Sequence, residues 1–223
     1  MDIFETLRLG RAAHRELTSP LSEEARNEMI DAAAAKIGEL FDVLKIDHRG
    51  DPNTYETPLR VARMYVEELL AGRYSAPPRI TEFDTTEVSE GLIVTGPIEI
   101  RSTCAHHLMP IYGSAYIGIL PAENGRLIGL SKYDRVVAHF ARRFQVQETL
   151  TRQIGDYLME MTAPRGLAIR VSAVHMCKTH RGVMASHDSR MITSAFYGTL
   201  KDNHRLKREY LDECRLLEDG GRS

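Results

Sequence analysis

Three residues whose side chains bind transition metals stand at spacings that could bring them to one ion. Cys104 and His107 lie in a single run, Ser-Thr-Cys-Ala-His-His, and Cys177 ends a second run, Val-His-Met-Cys. Two thiolates and one imidazole leave the fourth position of a tetrahedral ion open. That arrangement is typical of a zinc ion that activates water, whereas structural zinc usually takes four protein ligands. The pattern therefore predicts a catalytic Zn2+ site, with buried free cysteines as the alternative interpretation.

Two more histidines stand beside these residues. His106 directly precedes His107, and His175 lies two residues before Cys177. The alternation that begins at Ile169 predicts a strand in which His175 and Cys177 point to the same face. Imidazoles next to a metal site are suited to proton transfer. For His106, a packing role beside the ligand is the alternative interpretation.

Basic residues near helix starts indicate where an anion could bind. Ser131 is expected to open a helix whose first backbone N–H groups, joined by Lys132 and Arg135, form an anion site. An ordinary cap with a solvated basic face is the alternative. Arg60 and Arg63 lie one turn apart on an earlier predicted helix, and each alone is typical of a surface residue.

A glutamine and a glutamate stand together at the start of the next predicted helix. The amide of Gln147 and the carboxylate of Glu148 could together meet the N1–H, amine and O6 of a guanine edge. They could equally be first-turn residues without a ligand. Arg181 follows Cys177 by four residues and adds a further cation near the predicted metal site.

Composition places limits on the class of protein. The 223 residues carry a formal net charge of −2, which argues against a general binder of nucleic acid or of membrane surfaces. No run approaches the ~18 apolar residues of a membrane span, and the acidic N-terminus is unlike a signal peptide. Three irregularly spaced cysteines do not form a disulfide framework. We therefore expect a cytoplasmic protein with reduced thiols.

Hydrophobic periodicity divides the chain into a helical N-terminal region, residues 1–78, and an α+β domain, residues 79–223. The expected helices span residues 2–17, 22–46, 57–72, 131–143, 147–163 and 203–218. The expected strands span residues 79–86, 92–103, 111–120, 167–177 and 191–200. This order predicts a mainly antiparallel sheet with helices on one face. The exposed edges of such a sheet favour oligomerisation.

With these runs in view, the chain resembles the GTP cyclohydrolase I family. The matching runs are Tyr55 to Tyr65, Ser102 to His107, Ile128 to Lys132, Gln145 to Glu148, and Val174 to Cys177 with Arg181 and Gly182. They occur in the order of the family and span about residues 55 to 200.

The resemblance implies a T-fold, in which an antiparallel four-stranded sheet carries two helices between its hairpins. It implies a toroidal homodecamer assembled through the sheets, with active sites at subunit interfaces. The implied reaction opens the imidazole ring of GTP at C8, releases formate and forms 7,8-dihydroneopterin triphosphate, the first step of folate and pterin biosynthesis.

Site roles also follow from the resemblance, residue by residue. The Zn2+ ligands are implied to be Cys104, His107 and Cys177, and the proton-transfer residues His106 and His175. Gln147 and Glu148 are implied to anchor guanine and Ser131 to contact ribose. The triphosphate contacts are implied to be Lys132, Arg135, Arg181, Arg60 and Arg63.

Two departures from the family pattern keep other functions open. Ala105 stands where the family commonly has glutamate, and the segment from Val183 to Ser189 is also unlike the family. One alternative is a related cyclohydrolase of a specialised deazapurine or pterin pathway. Another is a non-catalytic T-fold regulator that binds a purine or pterin.

Overall fold

The computed structural model describes residues 12–17, 19–80, 82–83, 91–122 and 127–220. The chain forms two compact units, Met1–Ala76 and Pro77–Ser223. Among the described residues, no helix is both long enough and apolar enough to cross a membrane.

The N-terminal unit is built from helices. Its elements are α1 (Glu23–Val43), α2 (Thr57–Arg63), a π-helical turn (Met64–Leu69) and α3 (Ala71–Tyr74). Ser22 caps α1, since its hydroxyl accepts a hydrogen bond from the Ala25 backbone N–H. Glu56 occupies the cap position of α2, and its side chain makes no capping bond. The helix expected over 2–17 is wrong where it can be seen, because residues 12–17 form turns; residues 1–11 lie outside the described range.

The C-terminal unit is organised around a mainly antiparallel sheet. Its strands are β2 (Ile93–Cys104), β3 (Pro110–Leu120), β5 (Phe144–Gln145), β6 (Gly166–His175) and β7 (Arg190–Gly198), and they lie in the order β5-β2-β3-β6-β7. All pairs are antiparallel except the short parallel pair β2–β5. A separate two-stranded ladder joins β1 (Glu82–Phe83) to β4 (Leu127–Ile128).

Two helices lie between the hairpins and cover one face of the sheet. They are α4 (Leu130–Ala141) and α5 (Gln147–Thr162), both between β3 and β6 in the chain. Ile117 and Ile169 alternate inward from adjacent strands and share one buried cluster with Leu150 and Ile154 of α5. The expected α+β fold, with four long antiparallel strands and two helices between the hairpins, is confirmed.

The opposite face of the sheet is partly covered as well, which corrects the expectation of helices on one face only. After α6 (Met176–Thr179) and α7 (Thr199–Asp202), the last helix is α8 (His204–Gly220). Tyr210 and Cys214 of α8 are buried against Tyr116 and Ala168 of the sheet. The Tyr210 hydroxyl donates to the Tyr116 carbonyl at 2.8 Å. Gly118 is required here, because a Cβ atom at this position would collide with the Tyr210 ring.

Candidate metal centre and active site

The three predicted metal ligands come together in the structure. The ligand atoms of Cys104, His107 and Cys177 all lie within 4.8 Å of one another. Cys104 is the last residue of β2, and His107 lies in the turn that joins β2 to β3. Cys177 is not on a strand as expected, because β6 ends at His175 and residues Met176–Thr179 form α6. In this short helix the Cys177 thiol still lies beside Cys104 and His107.

The turn after β2 is closed by backbone hydrogen bonds. The Leu108 N–H donates to the Cys104 carbonyl at 2.9 Å, and the Cys104 N–H donates to the Met109 carbonyl at 2.8 Å. Leu108 adopts a left-handed conformation, with φ of 54°, which reverses the chain within few residues. The Ala105 N–H donates to the Gln145 carbonyl of β5. These bonds fix the backbone between the two ligands Cys104 and His107.

The donor set suits zinc in its chemistry and in its exposure. Cys104 is buried, Cys177 is half-buried and His107 is exposed, so the group is reached from one side. Burial raises the pKa of Cys177, and the neighbouring Cys104 thiol raises that pKa further. A divalent cation stabilises such thiols as thiolates, and Cys2His with an open position matches catalytic zinc sites.

The two predicted proton-transfer histidines lie beside this group. His106 Nδ1 is 3.8 Å from the Cys104 sulfur, and the His106 and His107 rings meet edge-on at 6.5 Å between centroids. Burial lowers the pKa of His175. Glu148 opposes this shift by raising that pKa, whereas Lys178 and His106 lower it further. His175 therefore lies within electrostatic reach of both His106 and Glu148.

Gln147 is placed differently from the expected pair of guanine contacts. The Gln147 side chain is 1% exposed, and its amide forms hydrogen bonds within this chain. One of them joins the Gln147 Oε1 to His175 Nε2 at 2.7 Å. Glu148, next in the chain, is exposed. The two side chains thus do not share one accessible edge, because the Gln147 amide is already satisfied inside the C-terminal unit. The sequence alone does not show this arrangement, because the partners of the Gln147 amide come from distant strands.

The predicted anion site at the start of α4 has a different cap from the one expected. The helix begins at Leu130 with Gly129 as its cap, so Ser131 is an exposed first-turn residue and not the cap. No acidic residue stands in that first turn. Lys132 is half-buried, with its Nζ 3.5 Å from the Arg79 carbonyl, and Arg135 is exposed. The first turn of α4 therefore carries positive charge from Lys132 and from the helix dipole.

The remaining predicted cations lie in two places. Arg181 follows α6, and its NH1 is 3.2 Å from His107 Nε2, so it lies against a predicted metal ligand. Arg60 and Arg63 belong to α2 in the N-terminal unit and are exposed there. Arg60 forms an i,i+4 ion pair with Glu56.

The family model and the curated relatives that match this chain all carry the same description. The family model for GTP cyclohydrolase I matches residues 33–215. The GTP cyclohydrolase 1 of Thermobifida fusca is 42% identical over 70% of this chain and 75% of its own length. That of Shewanella loihica is 38% identical over 86% of both chains. That of Mycobacterium bovis is 39% identical over 86% of this chain and 94% of its own.

One solved structure is also similar, though weakly. The archaeosine synthase QueF-Like in the apo form aligns with 50% of this chain and 97% of its own, with 11% identity. At a TM-score of 0.39 this likeness carries no argument about fold or function.

The sheet, the paired helices and the Cys-His-Cys group together define a T-fold enzyme with a place for a metal ion. The chain belongs to the GTP cyclohydrolase I family, whose model covers most of its length.

Proposed function

We propose that the protein hydrolyses GTP, opening the guanine imidazole ring at C8, releasing formate and forming 7,8-dihydroneopterin triphosphate. The observation that carries this proposal is the convergence of Cys104, His107 and Cys177 within 4.8 Å. His106 and His175 lie beside that group. A binding protein would need neither an open metal position nor two adjacent proton carriers.

The three ligands would hold Zn2+. When bound there, zinc supplies the Lewis acidity that makes water nucleophilic near neutral pH. Cys104, as the last residue of β2, ties the site to the sheet, while His107 faces the exposed side. A substrate can therefore approach from the side of His107.

The two histidines are proposed to move protons during ring opening. Breaking the imidazole ring of guanine requires proton delivery to its nitrogens, which neutral and protonated imidazoles can exchange near pH 7. Burial lowers the pKa of His175, so this ring loses its proton more readily than an exposed histidine. His106 is exposed, and its Nδ1 lies 3.8 Å from the Cys104 sulfur.

Substrate recognition is proposed to divide between a carboxylate and several cations. Glu148 is exposed at the start of α5 and close enough to His175 to affect its pKa. It is suited to accept hydrogen bonds from the N1–H and the amine of guanine. Ser131 is proposed to contact ribose. The proposed triphosphate contacts are Lys132, Arg135, Arg181, Arg60 and Arg63.

Assembly and setting are also proposed. The N-terminal helical region 1–78 and the catalytic domain 79–223 would together form a homo-oligomer, which the family resemblance implies is a decamer. The exposed Met191 and Ile192 of the edge strand β7 favour burial against another subunit. A cytoplasmic location is proposed, because the two cysteine ligands must remain reduced to bind metal. Folate or another pterin is the proposed end product.

The experiment that tests the function is formate release from GTP by the zinc-loaded protein, followed with the pterin absorbance band. A specialised cyclohydrolase would release formate from another purine nucleotide in preference to GTP. A regulator would bind GTP or a pterin and release no formate. Wild-type protein and the Cys177→Ser variant are compared in each assay. Loss of this metal ligand should abolish turnover whether the protein acts on GTP or on another purine nucleotide.

A further inference from the structure

The Gln147 side chain is the centre of a buried hydrogen-bond network. Its Nε2 lies 3.2 Å from the Val171 carbonyl, 3.0 Å from the Met191 carbonyl and 3.1 Å from the Thr193 hydroxyl. Its Oε1 lies 2.7 Å from His175 Nε2. Gln147 is only 1% exposed. Both ends of the amide therefore bond within this chain, and one end bonds to a proposed catalytic histidine.

The orientation of the amide follows from its neighbours. Backbone carbonyls can only accept hydrogen bonds, so the –NH2 group must face Val171 and Met191. The Gln147 carbonyl oxygen must then face His175, and an oxygen acceptor requires an N–H opposite it. His175 Nε2 therefore carries a hydrogen and donates to Gln147. The second ring nitrogen, Nδ1, is left without its proton when the ring is neutral.

The network is braced from both sides. The Thr151 hydroxyl, one turn along α5, donates to the Gln147 backbone carbonyl at 2.8 Å. The same hydroxyl lies 2.6 Å from the Thr193 hydroxyl of β7. Strands β6 and β7 and helix α5 thus hold one glutamine in one place, and a side chain held in this way can fix its neighbour.

We propose that Gln147 is a positioning residue that orients the His175 ring and fixes its Nε2–H form, so that Nδ1 is the atom presented for proton transfer. This role rests on the proposed function of His175. It replaces the expected contact between Gln147 and the guanine edge. A base contact would require the amide to give up its bonds to Val171, Met191 and His175, and the loss of buried hydrogen bonds is costly.

Kinetics separate the two roles of Gln147. The Gln147→Met variant keeps side-chain length but loses the hydrogen bonds; we expect kcat for formate release to fall roughly 10- to 100-fold, since misplaced catalytic groups lose about that much. We expect KM for GTP to change by less than about threefold, because no base contact is lost. In a His175→Ala background the same substitution should cost less than about twofold, because the residue it positions is gone.

The matched control is Gln153→Met. Gln153 is a partly buried glutamine of α5 whose Oε1 accepts a hydrogen bond from Gln145 Nε2 at 2.8 Å, and this bond does not involve His175. Both variants should lose thermal stability, whereas only Gln147→Met should lose turnover. A tenfold rise in KM for Gln147→Met with kcat retained would identify a base contact. Equal losses of turnover in both variants would identify general loosening, and either result overturns the proposal.

A second measurement uses the wild-type protein and needs no variant of Gln147. Solid-state 15N NMR of histidine-labelled protein at about pH 8 reports which ring nitrogen carries the proton, and the His175→Ala spectrum assigns the signal. We expect a protonated Nε2 and an unprotonated Nδ1 at His175. The opposite tautomer would refute the proposal. Absence of formate release by the wild type would instead refute the proposed function, and the tautomer result would stand separately.

Discussion

The guanidinium of Arg181 lies 3.2 Å from Nε2 of His107, although 74 residues separate them in the chain. A proposed triphosphate contact therefore touches a proposed metal ligand. The part of the site that would hold the substrate anion is thus continuous with the part that would hold the metal.

Removing Arg181 should weaken substrate binding more than metal binding. A hydrogen bond to a charged group contributes about 1.5–3 kcal/mol, so Arg181→Ala should raise KM for GTP roughly 10- to 100-fold. Zinc content by elemental analysis should stay unchanged. Arg101→Ala serves as the control, because Arg101 is an exposed arginine of β2 whose guanidinium pairs with Glu99 and not with a predicted metal ligand. Loss of zinc by Arg181→Ala would show that Arg181 supports the ligand His107 instead of the substrate.

Metal content should depend on two of the three cysteines. Cys104→Ser and Cys177→Ser should each lose most of the zinc, because a thiolate ligand is replaced by a weakly binding hydroxyl. Cys214→Ala should retain about one zinc per chain, since Cys214 is buried in α8 against Tyr210. Full zinc retention by either of the first two variants would contradict the ligand assignment.

Base choice should depend on Glu148 and not on Ala105. Glu148→Gln should lower kcat/KM for GTP by about 10-fold or more, because a carboxylate that accepts two hydrogen bonds is replaced by an amide. Ala105 lies in the turn after Cys104, so Ala105→Glu should alter the rate and leave the preference for GTP over ATP unchanged. Comparable use of ATP by the wild type, or a switch of base in Ala105→Glu alone, would favour a cyclohydrolase with another substrate.

Alkaline stability should depend on Cys214. Burial raises the pKa of this thiol from 9.0 to about 11. A pKa raised on folding means that the native state prefers the neutral thiol, so the stabilisation is complete below pH 9 and is lost as pH rises toward 11. This loss is on the order of 2–3 kcal/mol.

Denaturant unfolding of the wild type and Cys214→Ala between these two pH values measures the effect. The difference in free energy of unfolding between the two proteins should shrink as the pH rises. A difference in free energy of unfolding that stays constant over this range would show that the pKa of Cys214 does not change on folding.

The sequence predicts the long strands of the C-terminal unit well because their periodicities are regular, whereas the strand expected over 79–86 is limited to Glu82–Phe83 among the described residues. Strands β2, β3 and β7 lie within two residues of the expected bounds. The predicted end of β6 at Cys177 is wrong. The alternation of residue types continues through Cys177, whereas the backbone turns into α6 after His175. Side-chain alternation does not register that local change.

The residues of the site also differ in how well the sequence predicts their roles. Cys104, His107 and Cys177 are recognisable because metal-binding residue types at short spacings carry a chemical signature. The bonds of Gln147 carry none, since they depend on Val171, Met191 and Thr193, which only the sheet register brings to α5. A glutamine at the start of a helix looks the same in sequence whether its amide faces solvent or a histidine.

The central claim is that this chain opens the imidazole ring of GTP. The most direct measurement is formate produced per GTP consumed by the zinc-loaded wild type, with the pterin absorbance band followed in parallel. We expect one formate and one dihydroneopterin triphosphate for each GTP, and neither product from Cys177→Ser. Tight binding of GTP by the zinc-loaded protein without formate release would rule out this reaction and favour a purine-binding regulator.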